Sequence, residues 1–271
     1  MKKAPYYLLL LALLFTACSN PYGTVEKHTL TASTNGTTYE LQVVKPYSYD
    51  TSINYPTVYI LDGDTSIGTI STILADLSDQ NLIQDVVVVA VGYGGALKGL
   101  NERIYDYMYP EDTTGVYGHT GGGELFHTFM RNEVVPFIEA RYSCDTQERT
   151  IVGHSAGGFF ALYSLFHHYI LGSTPFQNFV ALDPGIHWAD AYILGEELAT
   201  NAATNDLNAT LYMSRSTLSG AIVSVPFQAM KDQITTSTYN NFAFTTSTFD
   251  LSHMSMVSPS LEESMLYLFS K

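Results

Sequence analysis

Five consecutive residues, Gly153-His154-Ser155-Ala156-Gly157, carry the pattern G-x-S-x-G. A serine held there on a sharp strand-to-helix turn presents its hydroxyl as a nucleophile, and the small neighbours let strand and helix approach. The bare pattern arises by chance in about one chain in ten of this length at ordinary Gly and Ser frequencies. Its flanks add the missing context: Thr150-Ile151-Val152 reads as a strand and Gly158-Phe159-Phe160-Ala161-Leu162 as the start of a helix. A serine hydroxyl at its normal pKa is a weak nucleophile and needs an adjacent base. In the chain order Ser, acid, His that accompanies this turn, the base follows the last strand. His253, after the Phe242–Phe249 run, fits that place; His187, beside Trp188, is the second choice. His28, His119 and His127 precede the serine, His154 belongs to its own turn, and His167 and His168 end a helix. The chemistry so implied is acyl transfer through an acyl-enzyme.

The elements that would position these groups follow from hydrophobic spacing. His28–Ser33 and Thr38–Lys45 alternate and meet across Asn35-Gly36, a strong hairpin signal. Thr57–Leu61 and Val86–Val91 are continuous apolar runs, as in strands buried on both faces. Between them, Ile67, Ile70, Ile73, Leu74 and Leu77 recur at helical spacing. Glu124–Tyr142 reads as one helix kinked at Pro136, and Gly157–His168 as another. Strands at Phe179–Leu182, Thr210–Ser214 and Phe242–Phe249 then alternate with helices near 189–200, 222–234 and 260–269. A hairpin followed by strand–helix units predicts an α/β fold: a mostly parallel central sheet with an antiparallel N-terminal hairpin and helices on both faces. Residues 94–123, rich in Gly, Tyr and Asp, read as a long active-site loop.

Composition narrows the class. The 271 residues carry 12 Lys+Arg against 26 Asp+Glu, a formal charge of −14. Such a surface lacks the cations that displace counterions from phosphates, which excludes nucleic acid as a partner. Lys2 and Lys3, the apolar run Leu8–Phe15 and Thr16-Ala17-Cys18 read as an export signal over residues 1–17. Thr16-Ala17-Cys18 resembles a bacterial lipobox, which makes Cys18 the lipidated first residue and the lipid the only membrane contact. Residues 18–26 are then a tether and 27–271 one domain; removing Lys2 and Lys3 takes the charge from −14 to −16. Cys144, left without a partner, falls in a polar turn and reads as a surface or partly buried thiol. No CxxC, HExxH or paired Cys/His spacing signals a metal, and no cofactor is expected. Asp62-Gly63-Asp64 resembles the start of a calcium loop, but Ile67 and Ile73 stand where Gly and Glu are needed.

The chain resembles the esterase family of α/β-hydrolases that includes esterase D, enterochelin esterases, feruloyl esterases and mycolyltransferases. The likeness rests on Tyr59-Ile60-Leu61-Asp62-Gly63, on Arg103-Ile104-Tyr105-Asp106-Tyr107-Met108-Tyr109-Pro110, on Phe129–Glu139 with Tyr142, and on Gly153–Gly158. Asp183-Pro184 and His253 extend it over roughly residues 38–269. It implies Ser155 as nucleophile, His253 as base, and an oxyanion hole from the backbone N–H groups of Ala156 and Asp64. Asp64 departs from the family pattern, since a carboxylate near a developing oxyanion is unfavourable unless it points away. Relatives place the acid after the strand corresponding to Thr210–Ser214, where this chain has Arg215-Ser216-Thr217-Leu218-Ser219-Gly220 and no carboxylate. Asp183 is the favoured substitute, with Asp250 the alternative, Asp232 more distant, and a Ser–His dyad also open.

The reading that follows is a serine esterase on a carbohydrate-linked or aryl ester, with a pocket formed by Arg103, Tyr107, His154 and Trp188 and walled further by Tyr105 and Tyr109. The alternatives are a siderophore-ester hydrolase, an acyltransferase on the same site, and a surface-binding lipoprotein whose chemistry has decayed. Anionic siderophores fit less easily, because the family holds them with basic residues and Arg103 is the one evident cation.

Overall fold

The computed structural model describes residues 22–271. The export signal expected at 1–17 and Cys18 lie outside the described residues. Eight strands form one sheet: β1 (Glu26–Thr31), β2 (Thr38–Val44), β3 (Tyr55–Ile60), β4 (Val87–Gly92), β5 (Cys144–His154), β6 (Asn178–Leu182), β7 (Asp206–Ser216) and β8 (Asn240–Phe249). Their order is β1-β2-β4-β3-β5-β6-β7-β8. β1 pairs antiparallel with β2, and β2 with β4; all later pairs are parallel. The expected α/β architecture, hairpin included, is therefore present.

Period-2 alternation along the buried strands divides the core in two. Val58, Ile60, Val88, Ala90, Val152 and Val180 face one side, where they meet helices α1 (Gly63–Asp79) and α8 (Val257–Phe269) through Ile70, Leu74, Leu261 and Met265. Tyr59, Val87, Val89, Ile151, Phe179 and Leu211 face the other. There they meet α3 (Gly123–Phe129), α5 (Ala156–Ile170), α6 (Trp188–Ala203) and α7 (Ala221–Thr236). Both sheet faces are thus sealed from water, which is why the central strands read as unbroken apolar runs.

Four local expectations are corrected. The stretch 94–123 is not all loop, because Ala96–Tyr107 forms helix α2; Gly99 lowers its intrinsic helix propensity, and Gly94 and Gly95 just before it read as turn, which masks it in the sequence. The single helix at 124–142 is instead α3, a π-helical turn at Met130–Val134, and α4 (Val135–Glu139). The backbone stays helical across both junctions, and Pro136, which has no N–H to donate, falls just after the π-helical turn. Within the expected tether, Tyr22 is 1% exposed; its hydroxyl donates to the Val86 carbonyl at 2.8 Å and accepts from the Val86 N–H at 2.9 Å. The chain is docked from Tyr22 onward, and Glu26 already begins β1. Cys144 is buried, not in a surface turn, because β5 starts there and pairs it with Tyr55.

Candidate active site

The sequence-predicted groups converge at the carboxyl ends of the parallel strands, the edge where open α/β sheets bind ligands. Asp62 follows β3, Ser155 follows β5, Asp183 follows β6, and His253 follows β8. Asp62, Ser155 and His253 line one cleft of about 260 Å³, with Asp64, Thr65, Tyr93, Ala96, Leu100, Arg103, His154 and Met254 among its other walls.

Ser155 has φ 58°, ψ −115°, a conformation that L-residues rarely adopt. The turn is possible because of Gly153: a Cβ there would lie 2.1 Å from the Gly157 carbonyl oxygen. Gly157 is less constrained, since its Cβ would meet the Leu61 side chain at an ordinary 3.5 Å. The Ala156 N–H is the first of α5 and the Asp64 N–H lies in the first turn of α1, so neither has an intrahelical partner. The Asp64 carboxylate is turned to the β4–α2 connection, where Oδ2 accepts the Tyr93 N–H and Oδ1 the Gly95 N–H, both at 2.7 Å. Those bonds hold its charge in fixed backbone dipoles and free its own N–H for another use.

His253 Nδ1 lies 2.6 Å from Asp183 Oδ2. Asp183 is 1% exposed and its backbone is left-handed, φ 41°. Burial alone would raise its pKa, but hydrogen bonds from His253, Ser219 and Ser216 outweigh that and hold the carboxyl below its ordinary value. The Ser216 N–H reaches Oδ1 at 3.1 Å and the Ser219 hydroxyl reaches Oδ2 at 2.8 Å. Ser216 Oγ also donates to the Leu251 carbonyl at 2.5 Å, tying the acid's loop to the loop that carries His253. The end of β7 and its following loop thus supply no carboxylate of their own, but donors for the one that follows β6. The alternatives are placed elsewhere: Asp250 accepts from Thr217 Oγ1, and Asp232 from Gln228.

His154 does more than line the cleft. Its Nε2 lies 3.0 Å from the His253 carbonyl, and the two rings sit 4.3 Å apart. Burial first, then the neighbouring His253, push its pKa down to about 4, so it is neutral at pH 7 and can donate that Nε2–H. Arg103 forms a two-pronged bond to Asp62, Nε–Oδ1 2.7 Å and Nη2–Oδ2 2.9 Å, and reaches the His154 carbonyl. Its charge is spent inside the protein, although it lines the cleft.

The expected aromatic walls are a correction. Tyr107 is fully buried beneath the site, its hydroxyl accepting the Asp62 N–H at 3.2 Å. Trp188 is 6% exposed and donates to the Pro110 carbonyl. Tyr105 stacks on His119 and Tyr109 packs between Tyr163 and Tyr192. Leu100 and Met254 replace them as apolar walls, and neither carried a sequence signal, since α2 was hidden and Met254 is exposed. Ser216 and Ser219 were also missed; a hydroxyl-rich loop where a carboxylate was expected was the available clue. His187, the second choice of base, is absent from the cleft lining, and its buried Nδ1 has no partner.

An eight-stranded, mostly parallel sheet with a serine on the strained turn after β5 and a His–Asp pair beyond it defines the α/β-hydrolase class. The chain belongs to the family described as Putative esterase, whose profile matches residues 32–171. It is similar to ferri-bacillibactin esterase BesA of Bacillus subtilis, 29% identical over 168 residues, 58% of this chain and 57% of that one. It is also similar to apo-salmochelin esterase of Escherichia coli O6:H1, 29% identical over 157 residues, 55% of this chain and 47% of that one. The matches therefore span about half the length of these curated relatives. Among solved structures, the BES protein from Bacillus cereus shares the fold with a TM-score of 0.80 at 22% identity, each chain covered in full.

Proposed function

We propose that the protein is a serine esterase that hydrolyses small-molecule siderophore-type esters through an acyl-enzyme. The observation that carries the chemistry is the 2.6 Å His253–Asp183 contact beside a serine held at φ 58° in the same cleft. Ser155 Oγ attacks the ester carbonyl while His253 Nε2 takes its proton. Asp183 orients the ring through Nδ1 and stabilises the imidazolium. The N–H groups of Ala156 and Asp64 face the oxygen as its charge develops, each donor contributing about 2.7–4 kcal/mol in a comparable site. The C–O bond then breaks, the leaving alcohol takes the proton from Nε2, and water repeats the sequence to release the acid.

The substrate reading rests on two relatives named for siderophore esters; the carbohydrate-linked or aryl ester has no such support. Arg103 is the only Lys or Arg among the described residues lining the cleft, and Asp62 neutralises it. A cleft without free positive charge, in a chain of −14, favours a neutral or iron-free ester over a multiply charged ferric complex. We further propose export and a lipid anchor at Cys18, on the strength of the N-terminal sequence.

The test is hydrolysis of a cyclic triester siderophore, iron-free and ferric, against acetylated and feruloylated sugars, with products read by mass spectrometry. Ring-opening of the iron-free triester at the highest kcat/KM supports the proposal. Faster turnover of the sugar esters overturns the substrate, transfer to an added alcohol in place of water overturns hydrolysis, and no turnover of any ester supports a binding protein.

A further inference from the structure

On the side of the sheet covered by α3, α5 and α6, three side chains from two helices point their donor atoms at one spot. Glu124 on α3 and His167 and His168 in the last turn of α5 place a carboxylate oxygen and two imidazole nitrogens all within 4.8 Å of one another. None of the three lines the catalytic cleft. We propose that this cluster is a zinc site, with Glu124 Oε2, His167 Nε2 and His168 Nε2 as ligands and water in the fourth position.

The spacings favour a shared ion over direct bonding. Glu124 Oε2 lies 3.4 Å from His168 Nε2 and 3.8 Å from His167 Nε2. A tetrahedral Zn²⁺ with bonds of about 2.0–2.1 Å sets its ligand atoms about 3.3–3.4 Å apart. Of the three edges, one already matches, the second needs a few tenths of an ångström, and the third, between the two imidazoles, lies within 4.8 Å. His168 Nε2 is buried and makes no hydrogen bond, in a residue only 1% exposed. Such a group calls for a partner, because a buried polar atom without one has given up its water and gained nothing in return.

The other ring nitrogens fix which lone pairs are free. His167 Nδ1 lies 2.8 Å from Glu196 Oε2, a carboxylate that can only accept, so Nδ1 carries the proton and Nε2 is bare. His168 Nδ1 lies 2.8 Å from Ser173 Oγ, whose own proton goes to the His168 carbonyl. That oxygen must then accept from Nδ1–H, which leaves His168 Nε2 bare as well. A histidine ligand with its far nitrogen bound to a carboxylate or hydroxyl is the usual outer arrangement of a metal site. Both rings are clamped: His167 stacks on Tyr163 at 4.7 Å, and His168 lies parallel to His127 at 3.3 Å. The Tyr163 hydroxyl donates to Glu124 Oε2 at 2.9 Å and aims it. Arg131 adds positive charge near His168, which the carboxylates of Glu124 and Glu196 together exceed.

Two imidazoles and a carboxylate suit Zn²⁺ and not the hard cations, which prefer all-oxygen shells. The side chain of Glu124 is 47% exposed, so an ion can enter from solvent. The bound ion would pin α3 to the end of α5.

The experiment uses the full-length protein in detergent, without a polyhistidine tag, stripped with chelator and titrated with Zn²⁺ against a chromophoric competitor. One equivalent should bind and raise the Tm, while Mg²⁺ and Ca²⁺ do neither. Glu196→Gln should weaken binding about 10–100-fold, and Glu124→Gln combined with His167→Gln should abolish it. Circular dichroism checks that each variant is folded, and cobalt in place of zinc should give the visible absorption of a tetrahedral ion that these variants lose. Absence of binding by the wild type, or an unchanged equivalent in the folded double variant, overturns the proposal.

Discussion

Asp183 follows β6 and His253 follows β8, yet the carboxylate and the imidazole meet at 2.6 Å across the top of β7. The end of β7 and the loop after it bridge them: Ser216 and Ser219 bind the acid, and Ser216 also binds the backbone two residues before the histidine. An acid on a neighbouring strand can serve because the sheet register aligns the ends of β6, β7 and β8, with Leu182, Ser214 and Ser247 in one row.

Replacing Asp183 by Asn should lower kcat on the order of 10⁴-fold, as the loss of a triad carboxylate does elsewhere. Asp250→Asn should leave kcat little changed, because Asp250 is exposed and bonded to Thr217. Steady-state kinetics on a chromogenic ester compares the two. A larger loss in Asp250→Asn would reassign the acid.

His154 acts through His253, whose carbonyl it holds. His154→Phe keeps a ring against His253 but removes one hydrogen bond of about 1–1.5 kcal/mol, so kcat should fall about tenfold with KM nearly unchanged. A rise in KM alone would make His154 a substrate contact.

The two glycines of the turn should differ. Gly153→Ala places a Cβ against the Gly157 backbone and should cost about 3 kcal/mol or more, read as a loss of soluble protein or a large fall in denaturant midpoint. Gly157→Ala meets the Leu61 and Asp62 side chains at ordinary contact distances of 3.5 and 3.6 Å and should remain folded. Equal damage from both would contradict the turn geometry.

Burial drives the Asp106 carboxyl up to about 6, against hydrogen bonds from Tyr39 and Tyr93 that pull it down. The folded pKa lies above the unfolded value near 3.9. The native state therefore binds more protons between these values, and this group's contribution to stability falls as pH rises from about 4 to about 6. The loss is at most about 3 kcal/mol. Asp106→Asn still accepts from both tyrosines and should remove that slope. Urea titrations at several pH values check it: a wild-type-minus-variant difference that does not change from pH 4 to 7 would contradict the assignment.

The elements most legible in the sequence were those whose patterning and burial agree. Thr57–Leu61 and Val86–Val91 read as strands covered on both faces, and the G-x-S-x-G turn was marked by its flanks. His253 was found because the fold orders its base last in the chain. Asp183 was legible only as one of several carboxylates, since its choice depends on Ser216 and Ser219, donors far from it in sequence. Tyr107 and Trp188 misled because an aromatic side chain reads alike whether it walls a pocket or fills the core beneath it. Helix α2 was hidden by three glycines, and the start of β5 by the polar run Asp145–Arg149. Tyr22 gave no signal, because its value lies in one hydrogen-bond pair with Val86.

The most direct test of an activated Ser155 is intact-mass labelling of the folded protein with a fluorophosphonate. The account predicts a single adduct on the wild type, none on Ser155→Ala, and a greatly slowed reaction of His253→Ala. No adduct on folded wild type, or an adduct that survives Ser155→Ala, would contradict it.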